Sequence, residues 1–200
     1  MKANRTLILN TLLIVILFVS CKKEENNQTP TPTPTPTPTF TVGQSYQGGK
    51  IAYILQAGDM GYDANVPHGI IAATSDYSSQ CGWGCHGTAI SGADETDIGT
   101  GSQNTIDIIN GCSELGIAAR ICADLELDGF SDWYLPSIDE LYKLYINRVE
   151  IGGFTNGSYW SSTEYDSIFA WHFSFYYANG GSGGDNKGSA TKYVRAVRAF

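Results

Sequence analysis

Four cysteines beyond residue 80 have spacings that predict chemistry: Cys81, Cys85, Cys112 and Cys122. The N-terminal leader described below implies export, and an even set of cysteines in an exported protein favours disulfides, here two bridges with three possible pairings. Their C-x3-C and C-x9-C spacings differ from the C-x2-C spacing usual for a four-thiolate zinc site. The segment from Cys81 to His86 is also one residue longer than a C-x-x-C-H haem attachment sequence. We therefore predict that all four cysteines form disulfides.

Acidic side chains form two clusters that raise the question of calcium. One cluster is Asp124, Asp128 and Asp132, and the other is Asp94, Glu95 and Asp97. Calcium requires six to eight oxygen ligands, and neither cluster has the EF-hand pattern. Aspartate in turns also bonds its own backbone, which explains both clusters without a metal. We expect no cofactor, with Asp128 and Asp132 as weak candidates for a calcium site.

No catalytic set of residues is evident in the sequence. The three histidines, His68, His86 and His172, are scattered without the H-E-x-x-H pattern, and there is no G-x-S-x-G motif. A secreted enzyme would require an acid–base pair with shifted pKa values, such as two carboxyl groups converging in one pocket. The sequence therefore predicts that the protein is not an enzyme.

Residues 1–20 have the composition of an export signal. Two basic residues precede an almost wholly apolar run at residues 7–19. This run is shorter than the roughly 20 residues that a bilayer-spanning helix needs. Ser20 followed by Cys21 resembles the lipobox of bacterial lipoproteins, in which the cysteine becomes the lipid anchor. An ordinary signal peptide and an uncleaved anchor are the alternatives.

Residues 21–39 are a predicted disordered linker. Two lysines and two glutamates follow Cys21, which resembles the tag that directs some lipoproteins to the outer face of the outer membrane. The alternative is that these four charged residues are simply solvated and do not direct the protein to any location. From Thr29 to Thr39 threonine and proline alternate, and proline favours an extended chain without amide donors. The expected location is the outer membrane, with the protein lipid-anchored and facing the cell exterior.

Residues 40–200 are long enough for one domain with a full core. The chain has 12 basic and 20 acidic residues and a net charge of −8. Loss of Lys2 and Arg5 with the signal removes two positive charges and leaves −10. Such a balance argues against non-specific binding to nucleic acid or anionic lipid, and against a basic groove for sulfated polysaccharides. The lipid alone is expected to contact the membrane.

Hydrophobic patterns in residues 40–200 predict an α+β domain. Strand-like runs at 49–56 and 69–74 precede a long irregular loop at 81–105 and helical spacing at 106–125, where two glycines predict two short helices or one bent helix. Ser137 and Glu140 form an S-x-x-E capping box, so Glu140 is interpreted as a helix cap and not as a catalytic acid. The remaining predicted elements are a helix to about residue 149, strands at 159–162, 169–177 and 193–200, and a Gly-rich turn at 179–188.

Three segments resemble the signature of the Lcl C-terminal domain family: Asp132–Leu141 (DWYLPSIDEL), Tyr159–Glu164 (YWSSTE) and Lys192–Arg198 (KYVRAVR). That family is similar to C-type lectin-like domains. The resemblance implies a fold with two helices, a mainly antiparallel sheet and long loops that form the ligand surface. Some members are adhesins that recognise polysaccharides, so it implies an extracellular glycan as the partner. A non-catalytic protein–protein or structural module of the cell envelope is the second hypothesis, and a secreted enzyme is the third.

Loop residues of the types that bind sugars are then the candidate ligand site. Aromatic rings stack on the apolar faces of sugars, and amides and carboxylates bond their hydroxyls. Trp160 and Trp171 are expected in the core because they lie on strands. The candidates are Trp83, Tyr165, Asp166, Asn179, Asp185, Asn186 and Lys187.

Overall fold

The computed structural model describes residues 38–176 and 180–200. The predicted signal, the predicted anchor Cys21, most of the predicted linker and the candidate Asn179 lie outside the described residues. Among the helices of the described ranges, none combines the length and the apolar character needed to cross a membrane.

Two β-sheets position the candidate site residues. The first sheet has the order β1-β2-β3-β9, and all its pairs are antiparallel. Its strands are β1 (Ser45–Tyr46), β2 (Gly49–Ile54), β3 (Gly69–Ala72) and β9 (Val197–Ala199). The second sheet has the order β4-β8-β5-β6-β7, in which β5 and β8 run parallel and the other pairs antiparallel. Its strands are β4 (Ser78–Cys81), β5 (Ser158–Glu164), β6 (Phe169–Ser174), β7 (Gly181–Asn186) and β8 (Lys192–Val194).

Short helices connect and cover these sheets. They are α1 (Gly101–Gly111), α2 (Ala118–Ala123), α3 (Ile138–Ile146) and α4 (Arg148–Ile151). The glycine-interrupted pattern at 106–125 therefore gives two helices, α1 and α2. The start of α3 is the predicted capping box, in which the Ser137 hydroxyl accepts from the Glu140 amide and the Glu140 carboxylate accepts from the Ser137 amide. The interpretation of Glu140 as a helix cap is confirmed.

The second sheet carries a hydrophobic core on each face. Trp160 and Ala170 belong to the cluster that contains Trp83 and α2, whereas Tyr159 and Phe173 belong to the cluster that contains α3. Neighbouring residues of a strand point to opposite faces, so β5 and β6 contribute to both clusters in alternation. Trp171 is partly buried at the margin of the second cluster.

The α+β class is confirmed, and three predicted elements are corrected. The predicted turn at 179–188 contains β7, which pairs with β6 along its whole length although all six of its residues are glycine or polar. The predicted strand at 193–200 is two short strands, β8 and β9, which belong to different sheets. The described residues also form four helices, more than the two that the lectin-like resemblance implies, because the chain between β4 and β5 covers both cores.

Candidate functional site

Arg195 of the KYVRAVR segment lies in a network of buried polar contacts. The Arg195 guanidinium is fully buried and bonds Asp76 through Nε and Nη2, at 2.9 and 2.7 Å from Oδ1. Arg195 also donates to the carbonyls of Ala73 and Gly152, at 3.0 and 3.2 Å. A buried charge must be paired and hydrogen-bonded to be tolerated, and these contacts meet that requirement. The KYVRAVR segment therefore ties the two sheets together.

Arg198, the second arginine of this segment, forms an ion pair with Asp132, the first residue of the DWYLPSIDEL segment. Arg198 donates from Nε and Nη2 to Asp132, at 2.7 and 2.8 Å, as a bidentate pair. These hydrogen bonds hold the pKa of Asp132 below its usual range. Because both carboxylate oxygens of Asp132 are used by Arg198, Asp132 is poorly placed to bind calcium. Asp128 is exposed in the turn between Leu127 and Phe130.

A row of partly exposed rings lies at the margin of the second sheet; we call Tyr165, Phe169 and Trp171 the aromatic platform. The rings of Tyr165 and Trp171 are 5.3 Å apart and nearly perpendicular. Tyr165 is 60% exposed and Phe169 is 40% exposed. Phe169 and Trp171 share one face of β6 because they are two residues apart on a strand. That face is the one α3 covers at Phe173, where the Tyr142 and Tyr145 rings of α3 lie 5.7 and 4.9 Å away.

The strand beside the aromatic platform leaves space next to the rings. Gly184 of β7 is the register partner of Trp171, and among the described residues the only atom within 4 Å of a methyl group placed on Gly184 is the Cβ of Phe169, at 3.8 Å. Directly opposed residues in a sheet share a face, so no β7 side chain covers Trp171 from this side. The platform is therefore open toward the edge of the sheet.

Polar groups flank the aromatic platform on both sides. The exposed Asp166 accepts from the amides of Ile168 and Phe169 with Oδ1, at 2.7 and 2.8 Å, which fixes the turn between β5 and β6. No described residue donates to its second oxygen. Asn186 is opposite Phe169 in the register and accepts from the Gly188 amide through Oδ1, and no described residue accepts from its side-chain nitrogen. The structure thus brings three predicted residues together: Tyr165, Asp166 and Asn186.

A sequence model of the Lcl C-terminal domain family matches residues 73–198, which include all three signature segments, the buried arginine network and the aromatic platform. The chain belongs to this family. No curated protein matches the chain significantly. Among solved structures, the chain is similar to a fimbrial protein from Bacteroides ovatus with a TM-score of 0.50 and 14% sequence identity. The match covers 74% of this chain and 43% of that chain, so this chain spans less than half of the fimbrial protein, and the likeness concerns the fold alone.

Two predicted ligand residues are buried inside the Lcl C-terminal domain, and their prediction is corrected. Trp83 is fully buried and donates from Nε1 to the Ser161 carbonyl at 2.8 Å. Lys187 is also fully buried; its ammonium lies 2.5 Å from Glu164 and 4.6 Å from the centre of the Trp83 ring. An ion pair removed from water is held by these added contacts and is unavailable to a surface ligand. Sequence reasoning missed this pair because Glu164 is 23 residues from Lys187.

Asp185 is separated from the aromatic platform by the sheet itself. It is the register partner of Ala170, whose side chain belongs to the opposite core, and it forms an ion pair with Lys192. The Lys192 ammonium lies over the Trp160 ring at 4.8 Å. Asp185 and Asn186 are neighbours in sequence, but alternation along β7 places them on different faces. We therefore remove Asp185 from the candidate ligand site.

One of the two predicted disulfides of the Lcl C-terminal domain is present. Cys85 and Cys112 are bonded, with Cα atoms 5.7 Å apart, and this bridge ties the loop after β4 to the end of α1. Cys122 is a free and buried thiol on α2, so the second predicted bridge is not formed in this structure. Burial and the neighbouring Cys81 raise the pKa of Cys122 well above its usual range. A buried thiol packs as a small apolar side chain, which suits the core cluster that contains both residues.

Two carboxyl groups, Asp132 and Glu140, line one cavity of about 390 Å³. Burial raises the pKa of Glu140 to about 7, a value suited to acid–base chemistry. The oxygens of Glu140 are nevertheless occupied, because they accept from the amides of Gly99 and Ser137 at 2.9 and 2.8 Å and from the Tyr134 hydroxyl at 3.3 Å. Asp132 is held by Arg198 in the same way. Both carboxyl groups therefore have structural roles that account for their positions.

Proposed function

We propose that this chain is a surface-exposed lipoprotein whose domain binds an extracellular glycan through the aromatic platform. The observation that carries the proposal is the exposure of Tyr165 and Phe169 beside the partly buried Trp171, with hydrogen-bonding groups on Asp166 and Asn186. Soluble domains seldom expose several large rings side by side unless the surface binds something. Ring faces stack on the apolar faces of sugars, and the flanking carboxylate and amide bond the hydroxyls.

The charge of the domain supports a neutral glycan over a sulfated one. The exposed carboxylate of Asp166 lies at the platform, and the two basic residues of the adjoining strands, Lys187 and Lys192, are buried in ion pairs. An anionic chain would meet like charge there. The proposed binding needs no metal, because the platform uses rings, one amide and one carboxylate. We further propose that the fold is C-type lectin-like, since β1 and β9 place the two ends of the domain in one sheet.

The test is binding of the mature, unlipidated chain to an array of neutral oligosaccharides, with calcium and then with a chelator. Binding that persists with the chelator is expected. Tyr165→Ala should weaken binding to the selected glycan at least tenfold, which corresponds to about 1.4 kcal/mol. Gly184→Val should weaken binding while the domain stays folded, because its side chain would fill the open space beside the platform. Tyr62→Ala is the matched control, since Tyr62 is 43% exposed but lies outside the platform.

Three results would contradict the glycan proposal. An array on which no glycan binds would refute the proposal. Equal losses of affinity in Tyr165→Ala and Tyr62→Ala would show that the binding site is not the aromatic platform. Binding lost with the chelator would transfer the role to a calcium site.

A second candidate function, a protein–protein module of the cell envelope, is favoured by the position of β7. This strand is at the edge of the second sheet, and Gly181–Asn186 contains neither lysine nor proline, which commonly protect such edges. An extended segment of another protein would add to this edge through backbone hydrogen bonds. Sedimentation equilibrium of the mature chain tests one form of this idea. Self-association that Ser182→Pro abolishes would favour it over glycan binding.

A further inference from the structure

A two-part cleft lies beside the loop at 56–68, and none of its lining residues belongs to the aromatic platform. The ends of this loop are joined by a hydrogen bond from the Leu55 amide to the His68 carbonyl, at 2.9 Å. One part of the cleft is the cavity of about 390 Å³ that Asp132 and Glu140 line. We call it the apolar part, because Leu55, Ile70 and Phe200 also line it and both carboxyl groups are held by hydrogen bonds within the domain. The other, the acidic part, measures about 400 Å³. Its charged lining residues are Asp59, Asp97 and Asp139.

Met60 is shared by the two parts of the cleft. Its side chain lines both parts and is 60% exposed. The backbone of Gly99, with a φ of +93°, approaches Met60 so closely that a Cβ at Gly99 would lie 3.0 Å from the Cβ of Met60. The two parts therefore lie on either side of Met60, whose flexible thioether chain separates them.

The acidic part has an excess of negative charge that no lining residue neutralises. Burial and the nearby charge of Asp97 raise the pKa of Asp139. The charge of Lys143 acts in the opposite direction on the pKa of Asp139, but its ammonium lies over the Tyr53 ring, 4.8 Å from the ring centre. Asp59 is held by the Tyr53 hydroxyl and the Gln56 amide, at 2.8 and 2.7 Å from Oδ2. Carboxylates fixed in this way attract a cation that enters the cleft.

We propose that the two-part cleft binds a small aliphatic amine, with its alkyl chain in the apolar part and its primary ammonium in the acidic part. Apolar lining with a few placed polar groups is typical of small-molecule sites, and the volumes fit a short chain. Charge selects an ammonium over a carboxylate, and the adjoining apolar part selects a chain over a bare metal ion. The proposal is independent of glycan binding because the two sites share no residue.

The test uses 1-hexylamine as the probe and 1-hexanol as its neutral counterpart, with binding to the mature chain measured by titration calorimetry. Hexylamine should bind at least tenfold more tightly than hexanol, and less tightly as salt is added. Asp97→Asn and Asp139→Asn should each weaken hexylamine binding about fivefold, the value of one charge at about 4 Å in water. Asp124→Asn is the matched control, since Asp124 is exposed and lines neither part.

Several results would overturn the proposal. Equal binding of hexylamine and hexanol would show that the ammonium is not recognised. An equal loss with Asp124→Asn would mean that only the total charge matters. A lysine-containing peptide that binds when hexylamine does not would assign the cleft to a protein partner. Tyr165→Ala should leave hexylamine binding unchanged, so failure here and failure of the glycan proposal are distinguishable.

Discussion

Glu140 makes the stability of the domain depend on pH near neutrality. Its side chain is completely buried, and burial raises its pKa from 4.5 to about 7. Between these two values the folded state holds a proton on Glu140 that the unfolded chain has released. The stabilising contribution is therefore fully present below pH 4.5 and is lost as the pH rises through about 7. At 1.36 kcal/mol for each tenfold change in proton affinity, the loss is roughly 3 kcal/mol.

The change Glu140→Gln separates this effect from all other titrating groups. Glutamine has no proton to lose, so its stability profile lacks the contribution from residue 140. Urea unfolding of both proteins from pH 4 to pH 8 gives the difference in free energy of unfolding at each pH. The free energy of unfolding of the wild type minus that of Glu140→Gln should decrease by roughly 3 kcal/mol as the pH rises from 4 to 8.

A difference that stays constant with pH would refute the reasoning about Glu140. It would mean that the amides of Gly99 and Ser137 and the Tyr134 hydroxyl hold the carboxylate ionised throughout, in spite of burial. The change Asp124→Asn, which also removes one carboxylate but at an exposed position, serves as the control.

Three further changes test other parts of the structure by urea unfolding. Arg195→Met leaves the Asp76 carboxylate without its cation and should cost about 3–5 kcal/mol, and a loss below 1 kcal/mol would show that the pair is not needed. Gly153→Ala should lower the free energy of unfolding more than Gly152→Ala does. Both glycines have a positive φ, but only at Gly153 would an added Cβ meet a carbonyl oxygen, at 2.3 Å. Equal losses of stability in the two variants would contradict this reasoning. Cys85→Ser opens a bridge that spans 27 residues and should cost about 3.5 kcal/mol by the chain-entropy relation, whereas unchanged stability would imply that the loop is held by packing alone.

Local signals in the sequence predicted the parts of the fold that depend on neighbouring residues. The capping box at Ser137 and Glu140 is such a signal, since both partners lie within one helical turn. The strand β7 was missed because glycine has low strand propensity, and its pairing comes from the backbone of β6. Strand pairing depends on residues that are far apart in the sequence, so the composition of a segment does not predict it.

The candidate site was predicted only in part, for the same reason. Tyr165, Asp166 and Asn186 are near one another because β6 and β7 pair, which the loop assignment did not foresee. Trp171 was assigned to the core from its strand position, yet a glycine in the adjoining strand leaves it partly open. Trp83 was assigned to the surface from its glycine neighbours, although its indole is completely buried.

The rings of Phe40 and Phe200 are 5.1 Å apart, and each also contacts Tyr46. A few added residues would therefore join position 200 to position 40 without disturbing either sheet. New ends opened between Leu115, which is 89% exposed, and Gly116 would give a circular permutant with the same strand pairing. The folded arrangement then does not depend on the order in which the segments follow one another along the polypeptide.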